Sequence, residues 1–515
     1  VPPGGAASRA AFRAIRLGGF LAGIALAAPA DPPPLEIPSR DPAFADLRRI
    51  EARSGVLLPG QSFPQPIRPA RAWLESRALT PWDSARLLAR FPFATVGEAV
   101  RWDDSARGNL FLLSPLAEAA GEAGTAGDTS PDLGRMALGA RIYGTVGGRL
   151  GWYTHALAYT EWADRELWSH QFDPENGETY SVEKGAGDVL LAMRTYNRFE
   201  YYLRYDQDWW SIKAGRDHLH AGPGYFSSLT ATRETPPYYQ AAAHIDFAPW
   251  LALDDIVLKM TDSSYDVQKY ANLHRFTFRP SASVQIGYED LVIYQDRDPD
   301  PAYLLPFVPL TFSEANSGGR DNASMAFDAV WAAPGGLMLW GQLFLDDLLG
   351  PTSIYDDFWE NRWAGLAGFQ WVLPSAWADA DLVFEYSHVE PWTYNGRETH
   401  TSFKHYDVAS ASKLGPDSRS LDAQASWRFM RNWQARAHWE WDTKGTGRPG
   451  TLGTIHDNAI DGQTKEWLKD ARSTWRSTQE ISWFFRRYAE ARIWWTETWG
   501  SDNGRRFGAE MRTGW

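Results

Sequence analysis

From Met136 onward the chain alternates. Met136-Leu138-Ala140-Ile142 sets apolar residues at every second position, and the same rhythm returns in Phe199-Tyr201-Leu203-Tyr205, Trp210-Ile212-Ala214, Ala241-Ala243-Ile245-Phe247, Met325-Phe327-Ala329-Trp331 and Leu421-Ala423-Ala425-Trp427. Successive side chains of a strand point to opposite faces, so each run predicts a strand with one apolar face. Between Trp433 and Trp441 the other face carries Gln434, Arg436, His438 and Glu440. Further repeats, such as Ile256-Leu258-Met260 and Ile481-Trp483-Phe485, with a few weaker candidates, bring the count to roughly 16 to 18 strands. The final residues, Phe507 to Trp515, alternate too and end on an aromatic ring. The pattern predicts an all-β transmembrane β-barrel in the outer membrane of a Gram-negative-type bacterium, its polar face lining the lumen and its apolar face meeting lipid.

The region before the strands has a different period. Arg9, Arg13 and Arg16 precede the apolar run Leu17 to Ala28, and Ala28-Pro29-Ala30 offers small residues for cleavage, so residues 1–30 read as a secretory signal peptide. The first residue is Val, so either the initiator is atypical or the start lies upstream. Residues 31–120 read as a helical periplasmic module, either docked on the barrel or independent. Phe44 to Ile50 repeats every third residue before a stop at Gly55, Pro69 to Leu79 reads as a second helix, and Thr80-Pro81-Trp82-Asp83 caps a third continued by Leu87, Leu88 and Phe91. Residues 121–134, rich in small and polar residues, read as a linker, leaving 135–515 for the barrel.

Composition narrows the function classes. The 27 Trp, 21 Tyr and 25 Phe suit the two aromatic girdles of a barrel. The absence of Cys removes disulfides, thiol catalysis and Cys-based zinc sites. A net charge of −13 argues against nucleic acid as a partner. No GxSxG, HExxH or GxxxxGK stands in the chain, so no catalytic residue and no cofactor is predicted. His218 and His220 form an HxH with Asp217 beside it, but two imidazoles do not make a zinc site, and they read as solvated loop residues rather than metal ligands.

Three interruptions exceed tight turns: Leu219 to Tyr238, Asp296 to Asn322 and Asp442 to about Trp475. Long barrel loops sit outside the membrane or fold into the lumen, and they carry function. Rings in such loops can stack on the apolar faces of sugars, which makes Tyr225, Phe226, Tyr238, Tyr303 and Phe307 candidates for glycan contact.

Several of these segments resemble a known family. Gly215-Arg216-Asp217, Ala221-Gly222-Pro223-Gly224 and Ser227-Ser228-Leu229-Thr230, then Gly341 to Asp347, then Glu385-Tyr386, Pro391, Tyr394, His405-Tyr406 and Lys413 to Ser418, follow the order and spacing of Wzi-type capsule assembly proteins. Ala409 to Ser412 departs from that pattern by lacking glycines. The resemblance implies an 18-stranded outer-membrane barrel with a periplasmic helical bundle, acting as a surface lectin that tethers capsular polysaccharide or exopolysaccharide without cleaving it. Arg216, Asp217, Glu385, Tyr386 and Asp417 are expected to fix the loop architecture through buried ionic hydrogen bonds. The other partners expected are outer-membrane lipid, lipopolysaccharide and the barrel assembly machinery. Two alternatives stay open: a porin or polysaccharide export channel with an open lumen, and an outer-membrane hydrolase.

Overall fold

The computed structural model describes residues 34–37, 42–58, 66–77, 79–80, 83–88, 98–126, 133–164, 181–184, 191–261, 267–306, 308–347, 354, 356–374, 379–406, 408–486, 489–501 and 503–513. Eighteen antiparallel strands close into a barrel. They are β1 Asn109–Ala126, β2 Leu133–Val146, β3 Leu150–Asp164, β4 Leu191–Asp206, β5 Trp210–Asp217, β6 Tyr238–Ala248, β7 Leu251–Met260, β8 Lys269–Ser281 and β9 Val284–Gln295. The second half comprises β10 Asn322–Ala333, β11 Leu337–Asp347, β12 Arg362–Val372, β13 Ala380–Val389, β14 Ser418–Met430, β15 Trp433–Lys444, β16 Arg472–Arg486, β17 Ala489–Gly500 and β18 Gly504–Thr513. Each strand pairs with the next, and β18 pairs back onto β1 from Ala117 opposite Thr513 to Ala126 opposite Gly504, which closes the barrel.

The alternation read from the sequence sets the two faces. On β15 and β16, outward Trp433 stacks on Trp483 with ring centroids 5.7 Å apart, and Trp441 stacks on Trp475 at 5.4 Å. The two pairs are eight residues apart, which on a strand tilted by about 40° spans about 20 Å, close to the ~25 Å apolar band of such barrels. Inward positions are charged and paired: buried Arg275 forks onto Asp328 at 2.5 and 3.0 Å and also binds Glu289. Connections such as Ser281 to Val284 and Met430 to Trp433 are short at one end of the barrel, and the long loops lie at the other. In outer-membrane barrels the short turns face the periplasm.

Helix α1, Ala43–Ser54, ends at Gly55, whose φ of 67° is left-handed and whose N–H reaches Glu51 O at 2.9 Å. It lies against β12 and enters the barrel at the short-turn end: Leu57 N–H donates to Ala282 O at 2.8 Å, and buried Arg49 binds Asp83 and, at 2.8 Å, Asp379. Helix α2 is Ile67–Glu75, starting and stopping earlier than the predicted Pro69 to Leu79. Asp83 accepts Thr80 N–H at 3.1 Å, while Pro81, Trp82 and Phe91 lie outside the described residues, as do the expected signal peptide and Trp515.

Two boundaries differ from the sequence reading. Residues 109–126 form strand β1, although 109–120 read as helical module and 121–134 as linker. The outward positions of β1 after Leu113 are Pro115, Ala117, Ala119, Gly121 and Ala123, so the alternation is present but its apolar face is built of small residues with little hydrophobic contrast.

Candidate functional site

The β5–β6 loop turns into the lumen because Ala221-Gly222-Pro223-Gly224 allows it. Gly222 has φ +108°, and a Cβ there would stand 2.6 Å from the Gln342 and Ser228 side chains; at Gly224 a Cβ would lie 1.7 Å from Ser227 O. The turn aims three consecutive backbone N–H groups at one carboxylate. Tyr225 N–H donates to Glu385 Oε2 at 2.6 Å, while Phe226 and Ser227 N–H donate to Oε1 at 3.0 and 2.9 Å. The indole N–H of Trp340 adds a fourth bond to Oε2 at 2.8 Å. Further along, Leu229 N–H donates to Gln342 Oε1 at 2.9 Å, and Thr230 donates to Glu289.

A second loop, between β13 and β14, descends onto the first. Tyr394 N–H donates to Asp346 Oδ2 at 2.9 Å and its hydroxyl to Leu229 O at 3.0 Å. Thr232 N–H reaches Ser410 O at 2.9 Å, Ser412 N–H reaches Ser228 O at 2.6 Å, and Lys413 N–H reaches Ser227 Oγ at 3.2 Å. Lys269 on β8 holds this loop from the wall, donating to Ser402 O at 2.7 Å and Lys404 O at 2.9 Å. His405 accepts Thr261 N–H on Nδ1 at 2.8 Å and stacks on Tyr238 at 4.4 Å; burial pushes its pKa down to about 3.

From the periplasmic side, α1 joins this cluster. Arg48 donates to Pro223 O at 2.5 Å and lies over the Trp340 ring at 4.4 Å. Burial lowers its pKa to about 10, against the opposing pull of Glu51 and Glu385. Beside these elements a cavity of about 530 Å³ remains, lined by Arg48, Tyr225, Phe226, Arg436, His438 and Glu480 among others. Phe226 forms part of its wall by stacking on His438 at 4.8 Å.

The structure thus brings Tyr225, Phe226 and Glu385 together. Asp217 and Tyr238 flank the same loop, with Asp217 accepting from Lys213 Nζ at 2.6 Å and from His218 N–H at 2.8 Å. Asp417 stands apart at the base of the third loop: its φ is 49°, it accepts Leu468 N–H at 2.7 Å, and burial raises its pKa. Arg216 points out of the barrel, over Phe199 at 4.7 Å with a hydrogen bond of 2.7 Å to Phe199 O, and Tyr386 also sits on the outward face of β13. Both follow from the period of two, since their neighbours Asp217 and Glu385 face inward.

Tyr303 lies on the outer wall against Tyr294, and Phe307 lies outside the described residues. His218 and His220 are buried rather than solvated, because the loop that carries them enters the lumen; His218 Nδ1 meets Thr235 O at 2.8 Å and His220 Nε2 meets Gly224 O at 3.2 Å. The sequence reading missed Arg48, Trp340 and Lys269. Trp340 had a signal, standing beside the Gly341 to Asp347 run; Lys269 and Arg48 had none, since their partners lie more than a hundred residues away.

Neither a protein-family model nor a curated protein sequence matches this chain. Among solved structures it is similar to Wzi, an outer-membrane protein involved in group 1 capsule assembly in Escherichia coli and described as a carbohydrate-binding β-barrel: 13% identity over 92% of this chain and 98% of that one, with a TM-score of 0.56. OccK7 (OpdD) of Pseudomonas aeruginosa matches 78% of this chain and 98% of its own at 11% identity and TM-score 0.42. OccK2 (OpdF) of the same organism, solved with glucuronate, matches 81% and 99% at 10% identity and TM-score 0.44. The first likeness shows the shared fold. A closed barrel of this size with a lipid-facing aromatic belt is an outer-membrane protein.

Proposed function

We propose that this barrel binds surface polysaccharide, capsular or exopolysaccharide, and holds it at the cell surface without cleaving it. The observation that carries the reading is the Glu385 latch, which holds the β5–β6 loop inside the lumen. A barrel blocked by two loops above and a helix below works through its outer crown. There Trp359 stacks on His456 at 3.7 Å, buried Trp392 backs the same imidazole at 5.0 Å, and Arg448 pairs with Asp461 at 2.8 Å close by. Flat rings beside charged groups suit the apolar faces and the hydroxyl or carboxylate groups of sugars. The ordered motifs shared with Wzi-type proteins and the fold likeness to a carbohydrate-binding barrel support the same reading. The helical segment before Asn109 serves as the periplasmic stopper, and the terminal strand is the part read by the barrel assembly machinery.

A second reading is passage of small polar solutes through the part of the lumen beside the loops. The 530 Å³ cavity favours it, with Arg428, Arg436, Arg492 and Arg512 facing Glu480 and Glu490. Planar-bilayer recording of the purified full chain separates the two: the tethering reading predicts no large steady current, and such a current overturns it. Co-sedimentation with labelled surface polysaccharide from the native host tests binding itself. Retention by the wild-type chain and loss with Trp359→Ala are expected, and no retention by the wild type refutes the reading.

A further inference from the structure

The β9–β10 loop neither rises above the barrel nor enters the lumen. Tyr303 and Leu310 pack on Val292 and Tyr294, while the alternate residues Leu291 and Ile293 belong to the lumenal core, so this loop lies on the outer wall. Helix α3, Leu310–Asn316, rests on β9 and β10 with Leu310 and Ser313 toward the wall and Phe312 away from it.

The wall underneath is polar where a barrel should be apolar. His274 on β8 stands opposite Asp290 on one side and Asp255 on the other, all facing out. His274 is four residues from Phe278 at the periplasmic belt and four from Tyr270 at the outer one, so the row sits at mid-depth of the bilayer. Ionisable and polar groups facing acyl chains there are unfavourable unless covered or paired. The loop covers His274 and Asp290, each 1% exposed, while Asp255 at the edge of the row is half-buried.

Asp290 and the outward neighbours Asn272 and Tyr294 in turn satisfy backbone groups that lipid cannot. Asp290 accepts Leu310 N–H, Asn272 Nδ2 donates to Tyr303 O at 2.9 Å, and the Tyr294 hydroxyl donates to Asn272 Oδ1 at 2.8 Å and accepts Asp300 N–H at 3.3 Å. Because the bond to Asp290 pins α3 to the middle of the band, its outer side is at acyl-chain depth. The side chains turned outward are Leu304, Leu305, Val308 and Phe312, with Leu305 60% and Phe312 64% exposed. They continue the apolar belt of Phe278, Ile286 and Phe327 on the same wall.

We infer that the segments Pro301–Tyr303 and Leu310–Asn316 form a flap embedded in the outer leaflet, docked through its backbone on the outward Asp290, Asn272 and Tyr294 and presenting Leu304, Leu305, Val308 and Phe312 to lipid acyl chains. The chain contains no cysteine, so single substitutions report cleanly. Leu305→Cys and Phe312→Cys, with Val308→Cys as a further position, are spin-labelled in the full chain reconstituted into phosphatidylethanolamine–phosphatidylglycerol vesicles. Heat-modifiable gel mobility selects the folded barrel. Flap positions are expected to collide with oxygen as Phe278→Cys does and with an aqueous nickel chelate at least about tenfold less than Ile460→Cys in the third loop, since polar reagents are excluded from hydrocarbon. Nickel accessibility equal to that of position 460 overturns the inference. So does exclusion of both reagents, which would mean that protein, not lipid, covers the flap.

Discussion

Replacing Glu385 by Gln should free the β5–β6 loop without unfolding the barrel. Each carboxylate oxygen accepts two N–H groups, from Phe226 and Ser227 on one and from Tyr225 and Trp340 on the other. An amide keeps one acceptor oxygen and turns the other into a donor, so two of the four N–H groups lose their partner whichever way the side chain lies. Buried unsatisfied donors cost about 1–3 kcal/mol each, giving about 2–6 kcal/mol against loop docking. That shifts the docking equilibrium by a factor of about 30 to 10⁴. The strand ladder of β13 is untouched, so heat-modifiable gel mobility should not change. Trypsin cleavage after Arg233, within the loop, should accelerate by a comparable factor, because cleavage follows the population of the open form when reclosing is fast. Tyr386→Phe, one residue away but on the outward face, is the control and should leave cleavage unchanged. Unchanged cleavage in Glu385→Gln would refute the latch.

Gly222→Ala should release the same loop from its other end, since φ +108° and a Cβ 2.6 Å from Gln342 cannot both be accommodated; trypsin sensitivity at Arg233 with unaltered gel mobility is the expected result. Arg49→Leu strips buried Asp83 of one of its two cations and leaves Arg53 at 2.7 Å, so α1 docking should weaken by about 3 kcal/mol, read as faster proteolysis of the segment before Asn109. His405 gives a pH dependence. Burial depresses its pKa to about 3, below the value near 6.5 expected for a solvated imidazole, so the released loop binds a proton that the docked loop refuses. Docking of the β13–β14 loop is therefore at full strength above about pH 6.5 and weakens as pH falls toward 3, and His405→Gln should flatten that profile in a protease-protection titration.

The barrel was legible because outward positions such as Trp331, Trp427, Trp433 and Trp483 are large and recur every second residue. Strand β1 obeys the same period but shows Ala and Gly to the lipid, so amplitude failed where periodicity held. Half of the lumenal site could be read from Ala221 to Gly224, since paired glycines around a proline announce a tight turn. The partner of that turn could not, because Glu385 is about 160 residues downstream and only closure of the barrel brings the two together. The expectation that every long loop lies above the membrane or in the lumen hid the third possibility taken by Tyr303, a loop folded on the outer wall. Its clue was the row of Asp255, His274 and Asp290 on the lipid-facing side of three strands, a pattern that only the register reveals.

Whether the closed barrel retains polysaccharide at the surface is tested by deleting the gene in the native host and measuring cell-bound against released polymer. Total polymer should stay constant while the bound fraction falls, and the wild-type gene should restore it. A bound fraction unchanged by deletion would refute retention.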